Sequence, residues 1–181
     1  MNTSDKPKPE TIESKTVFQG KVFNVTADRV REEGKEYVRD IVRHPGSACI
    51  IAVDDERRVS LVRQYRHPAT DYLIEIPAGS RHDENESPET CARRELEEEL
   101  GVVAEKLELL IEFYVSPGYF TEKMWIYLAT GLRATQQNLD EDENIEIIKV
   151  PVNVALKMIE TGEIVDAKTI IGLPLAAQRL K

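Results

Sequence analysis

The sequence predicts an α+β fold built on a mixed β-sheet, and three observations carry that prediction. At 181 residues the chain suits one domain with a sizeable core. Strand-like apolar runs fall on both sides of a central helical segment, and two more helical segments follow near the end. No regular βαβ repeat links these segments, which points to α+β or a mixed-sheet sandwich.

Taken in order, residues 1–14 are polar and include Pro7 and Pro9, so a flexible tail is expected there, with one domain over 15–181. Val22, Phe23 and Val25 lead into a charged turn at 31–35, and Tyr37, Val38, Ile41 and Val42 return from it. Residues 16–44 therefore read as a β-hairpin or meander. Residues 47–53 read as a buried strand, Asp54-Asp55-Glu56 as a turn, and 59–64 as the partner strand. Residues 73–77 are short and extended. Residues 87–100 are helical: Ser87 suits the N-cap, Pro88 the first helical position, and Glu89 the positive end of the dipole. Residues 107–115 and 123–130 are strands again. Helices are expected over 152–160, closed by Gly162, and over 167–180.

The balance of residues narrows the function. A formal charge of −9 repels phosphate backbones, so neither nucleic acid nor an anionic membrane is an expected partner. An acidic protein that handles a phosphorylated ligand needs bound cations or a few placed arginines. The first fifteen residues lack the apolar core of a signal peptide, and the longest apolar run, 48–53, is far short of a membrane span. A cytoplasmic location is expected, with Cys49 and Cys91 reduced and acting as packing residues.

The helix at 87–100 carries the most unusual charge pattern. At 100° per residue, Glu98 and Glu99 lie about 60° and about 40° to either side of Glu95, while Glu97 points about 160° away. Ala92, Leu96 and Leu100 form the adjoining apolar stripe, so Glu95, Glu98 and Glu99 border the buried side. Like charges on one face destabilise a helix by a few tenths of a kcal/mol, roughly, and partial burial adds to the cost. A divalent cation would reverse the sign of that interaction, and magnesium takes oxygen ligands. Arg94 could orient one of the glutamates from outside the metal shell. On composition alone, a solvated glutamate-rich face is the plainer reading.

The flanks change it. Ile76-Pro77-Ala78-Gly79, then Glu86, then Arg94-Glu95-Leu96-Glu97-Glu98-Glu99-Leu100-Gly101-Val102 resembles the Nudix box. One departure is visible: six residues separate Gly79 from Glu86, where the usual motif has five. Gln64-Tyr65-Arg66, Glu75 to Gly79, Ser116-Pro117-Gly118 and Gly162-Glu163-Ile164 are similar to the ADP-ribose pyrophosphatase branch, with Pro117 fifteen residues after Val102 near that branch's proline position.

The resemblance implies a Nudix-type α/β/α sandwich and Mg²⁺-dependent hydrolysis of ADP-ribose to AMP and ribose 5-phosphate, with Mn²⁺ as an alternative ion. It implies Glu95, Glu99 and Glu98 as metal ligands, with the Ala78 carbonyl, and Glu86 helping through water or by holding Arg94. The general base is expected in the acidic run 140–146, with Glu143 first and Glu141 second; the plainer reading of that run is a solvated loop. Arg66 is the candidate for the diphosphate, against a reading as a surface arginine. Glu75 and Glu122 are candidates for ribose hydroxyls or the metal site. His67 beside Pro68 is expected to shape a turn, Trp125 to sit in the core, and Tyr119 or Phe120 to be available for stacking on a base. A homodimer is implied, with 16–44 packing on the partner. Two alternatives stay open: a pyrophosphatase for another nucleotide sugar such as GDP-mannose, and a non-catalytic ADP-ribose sensor.

Overall fold

A computed structural model describes residues 7–139 and 143–181. The chain divides into two compact units, Met1–Gly46 with Tyr114–Lys123, and Ser47–Phe113 with Met124–Lys181.

The smaller unit contains three antiparallel strands in the order β1-β2-β3: β1 Glu10–Gln19, β2 Asn24–Glu32 and β3 Lys35–Arg43. Glu33 and Gly34, both at positive φ, make the tight turn between β2 and β3. The strand β1 starts inside the segment expected to be a tail. Residues 10–14 pair with β2 from Glu10↔Arg31 to Ser14↔Asp28, and Ser14 donates to Asp28 Oδ1 at 2.6 Å. Local pattern could not announce this strand, because most of its side chains are exposed on both faces.

In the larger unit, a mixed sheet runs in the order β10-β5-β4-β9-β8: β10 Glu146–Pro151, β5 Arg58–Arg66, β4 Ser47–Val53, β9 Lys123–Ala134 and β8 Val102–Tyr114. The short strands β6 Asp71–Glu75 and β7 Ala78–Ser80 pair with β5 and β4 respectively. The β4–β9 pair is parallel and the β4–β5 pair antiparallel, so the sheet is mixed as expected. Every residue of β4 is buried, which explains its unbroken apolar run.

Alternation along β4 builds the layers. Cys49, Ile51 and Val53 face a cluster shared with Val152 and Ala155 of α2 (Val152–Glu160) and with Leu173 and Ala176 of α3 (Ala167–Arg179). Ala48, Ile50 and Ala52 face the other way, onto Cys91, Ala92, Leu96 and Leu100 of α1 (Pro88–Leu100). Helices thus cover both faces of the sheet, and the unit is an α/β/α sandwich. Cys49 and Cys91 are both buried, and burial pushes Cys91 up to about 11, which keeps it protonated and inert.

Candidate active site

Helix α1 is fixed at both ends by short-range chemistry. The Ser87 hydroxyl accepts from the Thr90 N–H at 3.1 Å, and Pro88 fills the first position. At the other end Gly101 adopts φ 61° and returns its N–H to the Glu97 carbonyl at 2.9 Å. A Cβ on Gly101 would stand 2.8 Å from the Gln137 backbone nitrogen. The segment after β9 is laid across this helix end. Thr135 N–H donates to Gly101 O, the Gln137 amide to Glu99 O at 2.6 Å, and Asn138 N–H to Glu98 O at 3.1 Å. Glu143 lies close enough for its charge to act on Glu95 and Glu99. Glu141 lies outside the described residues.

The helical phase sorts the glutamates. Glu95 and Glu99 are buried, Glu98 is partly exposed, and Glu97 is exposed and accepts from Thr135 Oγ1. Burial, then the repulsion of neighbouring carboxylates, pushes Glu99 up to about 8. Burial also pushes Glu95 up to about 7, against the pull of Arg94 and with the repulsion of Glu98 and Glu143. Glu99 accepts from the Ala78 N–H, yet its buried Oε2 has no hydrogen-bond partner among the described residues. An orphaned carboxylate oxygen amid like charges is the place a hard cation satisfies best. The oxygen-only donor set suits Mg²⁺ or Mn²⁺. Among the described residues, no three acidic, His or Cys side chains already converge as a metal cage.

Arg94 binds this group together. It donates to Glu86 Oε1 at 3.1 Å, Glu95 Oε1 at 2.5 Å, Glu98 Oε2 at 2.9 Å and the Ser80 carbonyl at 3.1 Å. Gly79 makes room for it: a Cβ there would lie 1.9 Å from Glu95 Oε1. The loop lengthened by one residue is knitted internally. Arg81 donates to the Glu84 and Glu86 carbonyls, Asp83 Oδ1 accepts from Asn85 and Glu86 N–H, and Glu86 Oε2 accepts from His82 N–H at 2.7 Å. Glu86 therefore holds both Arg94 and its own loop.

Arg66 and Glu75 meet as a two-bond pair, Nε to Oε1 at 2.7 Å and Nη2 to Oε2 at 2.6 Å, at the β5–β6 end of the sheet. Lys168, which no local pattern singles out, completes this group at 2.5 Å from Glu75 Oε2. Glu122 is buried in the smaller unit, 3.8 Å from His44 Nδ1. Phe120 packs edge-on against His44, while Tyr119 is exposed. His67 lies in the turn after β5, where its carbonyl accepts from Thr70 N–H. Trp125 packs beside the α1-side core, donates to Glu112 and lies under Arg81.

Comparison with known proteins bears on the same residues. The NUDIX domain model matches residues 42–171. The chain is 41% identical over 163 residues to an ADP-ribose pyrophosphatase of Bacillus subtilis (strain 168), covering 88% of each chain. It is 39% identical over 167 residues to a methanol dehydrogenase activator of Bacillus methanolicus, covering 91% of this chain and 90% of the relative. The crystal structure of an ADP compounds hydrolase superposes with a TM-score of 0.83 at 25% identity, over 98% of this chain and 97% of that one. With the domain match spanning the sandwich, the glycine loop and the acidic helix, the chain belongs to the Nudix family of hydrolases.

Proposed function

We propose that this hydrolase splits the diphosphate of ADP-ribose, adding water to release AMP and ribose 5-phosphate. The observation that carries the reading is the buried, mutually repelling pair Glu95 and Glu99, with Glu99 Oε2 lacking a hydrogen-bond partner among the described residues. Glu95, Glu98 and Glu99, with the Ala78 carbonyl, would hold a divalent cation, Mg²⁺ or Mn²⁺; when bound it shields the diphosphate oxygens and lowers the pKa of a water. Arg94 and Glu86 keep the glutamates in place. Arg66 offers its guanidinium to the diphosphate, with Glu75 fixing its orientation. Glu143 accepts the proton of the attacking water, and Glu141 is the second candidate for that task. Glu122 is assigned to substrate by family resemblance alone. In the cleavage the water oxygen bonds to one phosphorus, the bridging P–O bond breaks, and the bridging oxygen leaves on the other phosphate.

Two further assignments belong to this reading. Among the described residues no helix is long and apolar enough to cross a membrane. On the separate ground of an acidic composition with only two cysteines, we assign the enzyme to the cytoplasm. We also assign a homodimer formed through 16–44, supported by exposed Val17, Phe18, Val22, Phe23 and Val38.

The test is a panel of ADP-ribose, GDP-mannose and other sugar nucleotides, assayed for released mononucleotide after chelation and after adding back Mg²⁺ or Mn²⁺. ADP-ribose is expected to give the highest kcat/KM, only with added ion, and Glu143→Gln to lower kcat more than Glu141→Gln. Preference for GDP-mannose overturns the substrate; tight binding of ADP-ribose with no product under either ion makes the protein a sensor.

A further inference from the structure

Lys168 is a side chain that the chemistry above does not account for. It stands in the first turn of α3, where a cation opposes the helix dipole. It is also 7% exposed, a rare state for lysine. Two carboxylates offset both costs: Nζ donates to Glu75 Oε2 at 2.5 Å and to Asp166 Oδ1 at 3.0 Å. Burial works against the ammonium, but Asp166 and Glu75 outweigh it and the net shift is upward, so the charge persists. Filling space alone would be met by an apolar side chain of similar length, without the desolvation of an ammonium and two carboxylates.

What the lysine does follows from Glu75. That carboxylate is 1% exposed, whereas the Arg66 side chain clamped to it is 40% exposed. Of the five N–H donors of a guanidinium, Arg66 spends two on Glu75, and three are left for a ligand. Among the described residues Glu75 is the only hydrogen-bond acceptor for Arg66. Without Lys168, Glu75 Oε2 would have Arg66 as its sole donor in a dry site. A buried carboxylate short of partners then draws the guanidinium further onto itself. The same helix start also registers the backbone: Thr169 Oγ1 donates to Asp166 and accepts from the Ile76 N–H at 2.8 Å, two residues before Ala78.

We propose that Lys168 is a positioning residue for diphosphate binding: by holding Glu75 from behind, it fixes the plane and reach of the Arg66 guanidinium. This rests on the reading of Arg66 as the diphosphate-binding arginine. The experiment is a double-mutant cycle on ADP-ribose hydrolysis at saturating Mg²⁺, using wild type, Arg66→Ala, Lys168→Met and the double variant, with melting curves for each. Lys168→Met is expected to raise KM about tenfold with kcat changed less than about threefold, and to add nothing in the Arg66→Ala background. A lysine that only ties α3 to the sheet would lower the melting temperature and leave KM of the folded enzyme unchanged, or give penalties that multiply with Arg66→Ala; either result overturns the proposal. An Arg66→Ala enzyme of unchanged KM removes the premise and the proposal with it. Should Lys168→Met yield no soluble protein, Lys168→Gln keeps one donor toward Glu75 and carries the same cycle. Its KM is then expected to rise about threefold without adding to Arg66→Ala, and additivity or an unchanged KM overturns the proposal as before.

Discussion

Glu99 is the residue on which stability and function pull in opposite directions. Its carboxylate is 1% exposed, feels the charges of Glu95 and Glu143, and has one oxygen with no hydrogen-bond partner among the described residues. Both Glu95 and Glu99 are raised above their ordinary 4.5, to about 7 and about 8. In the metal-free protein the folded state therefore holds protons that the unfolded state has already lost. The stability they contribute is fully present below pH 4.5 and is lost as pH rises through about 7 to 8. Chelated protein is expected to melt at progressively lower temperature from pH 5.5 to 8.5, roughly, and Mg²⁺ to restore most at the alkaline end. Glu99→Gln removes the buried charge, so it should flatten that slope and melt no lower than wild type at alkaline pH. Its kcat is expected to fall by more than about a hundredfold, the upper end for groups outside a ligand shell. Thermal melts across pH with and without ion, beside steady-state rates, test this; a Glu99→Gln enzyme turning over at the wild-type rate refutes the metal-site assignment.

At the scale of elements, α1 does more than carry glutamates, because its C-terminal end also places the loop that follows β9. Gly101 needs φ 61°, which costs an L-residue about 1–2 kcal/mol, and a Cβ would press on Gln137 N. Gly101→Ala is therefore expected to destabilise by about 2 kcal/mol and to lower kcat beyond what lost folded fraction explains. The mechanism is displacement of the 135–138 segment, whose bonds to the Glu98 and Glu99 carbonyls hold the end of the glutamate-bearing helix. Urea melts and kcat measured on the folded enzyme at low temperature check it. Destabilisation with an unchanged kcat would show that the loop is placed by other contacts. The start of the same helix was legible in sequence, since Ser87, Pro88 and Glu89 act within one turn. Gln137 was not, because its bond to Glu99 O spans 38 residues and no local pattern records it.

For the molecule as a whole, legibility follows the range of the interaction. Strand β4 and helix α1 were readable because 48–53 is a continuous apolar run and α1 has one apolar stripe, both local signals of burial, while the α/β/α layering followed from the family resemblance. Strand β1 was not, since its polar residues become a strand only by pairing with β2. The Arg66–Glu75–Lys168 group was half readable. Arg66 and Glu75 lie nine residues apart on one hairpin, whereas Lys168 lies 93 residues from Glu75. The same contrast frames the oligomeric state. The smaller unit exposes Phe18 at 52% and Phe23 at 41%, with Val17, Val22 and Val38 more than half exposed. Phe18 and Phe23 pack on each other, 5.9 Å between ring centroids. In an otherwise acidic composition this exposed apolar group, with Val17 and Phe18 on β1, Val22 and Phe23 between β1 and β2, and Val38 on β3, supports the proposed homodimer contact. Light scattering should give twice the chain mass for wild type, and Phe18→Ser with Phe23→Ser should shift the equilibrium to monomer. If residues 16–44 also complete the partner's substrate site, the specific activity of wild type falls on dilution, and the double variant shows a raised KM at every concentration. A wild-type chain that stays monomeric with full activity would place both the dimer and the shared site outside this enzyme, and leave the exposed aromatic pair to another partner.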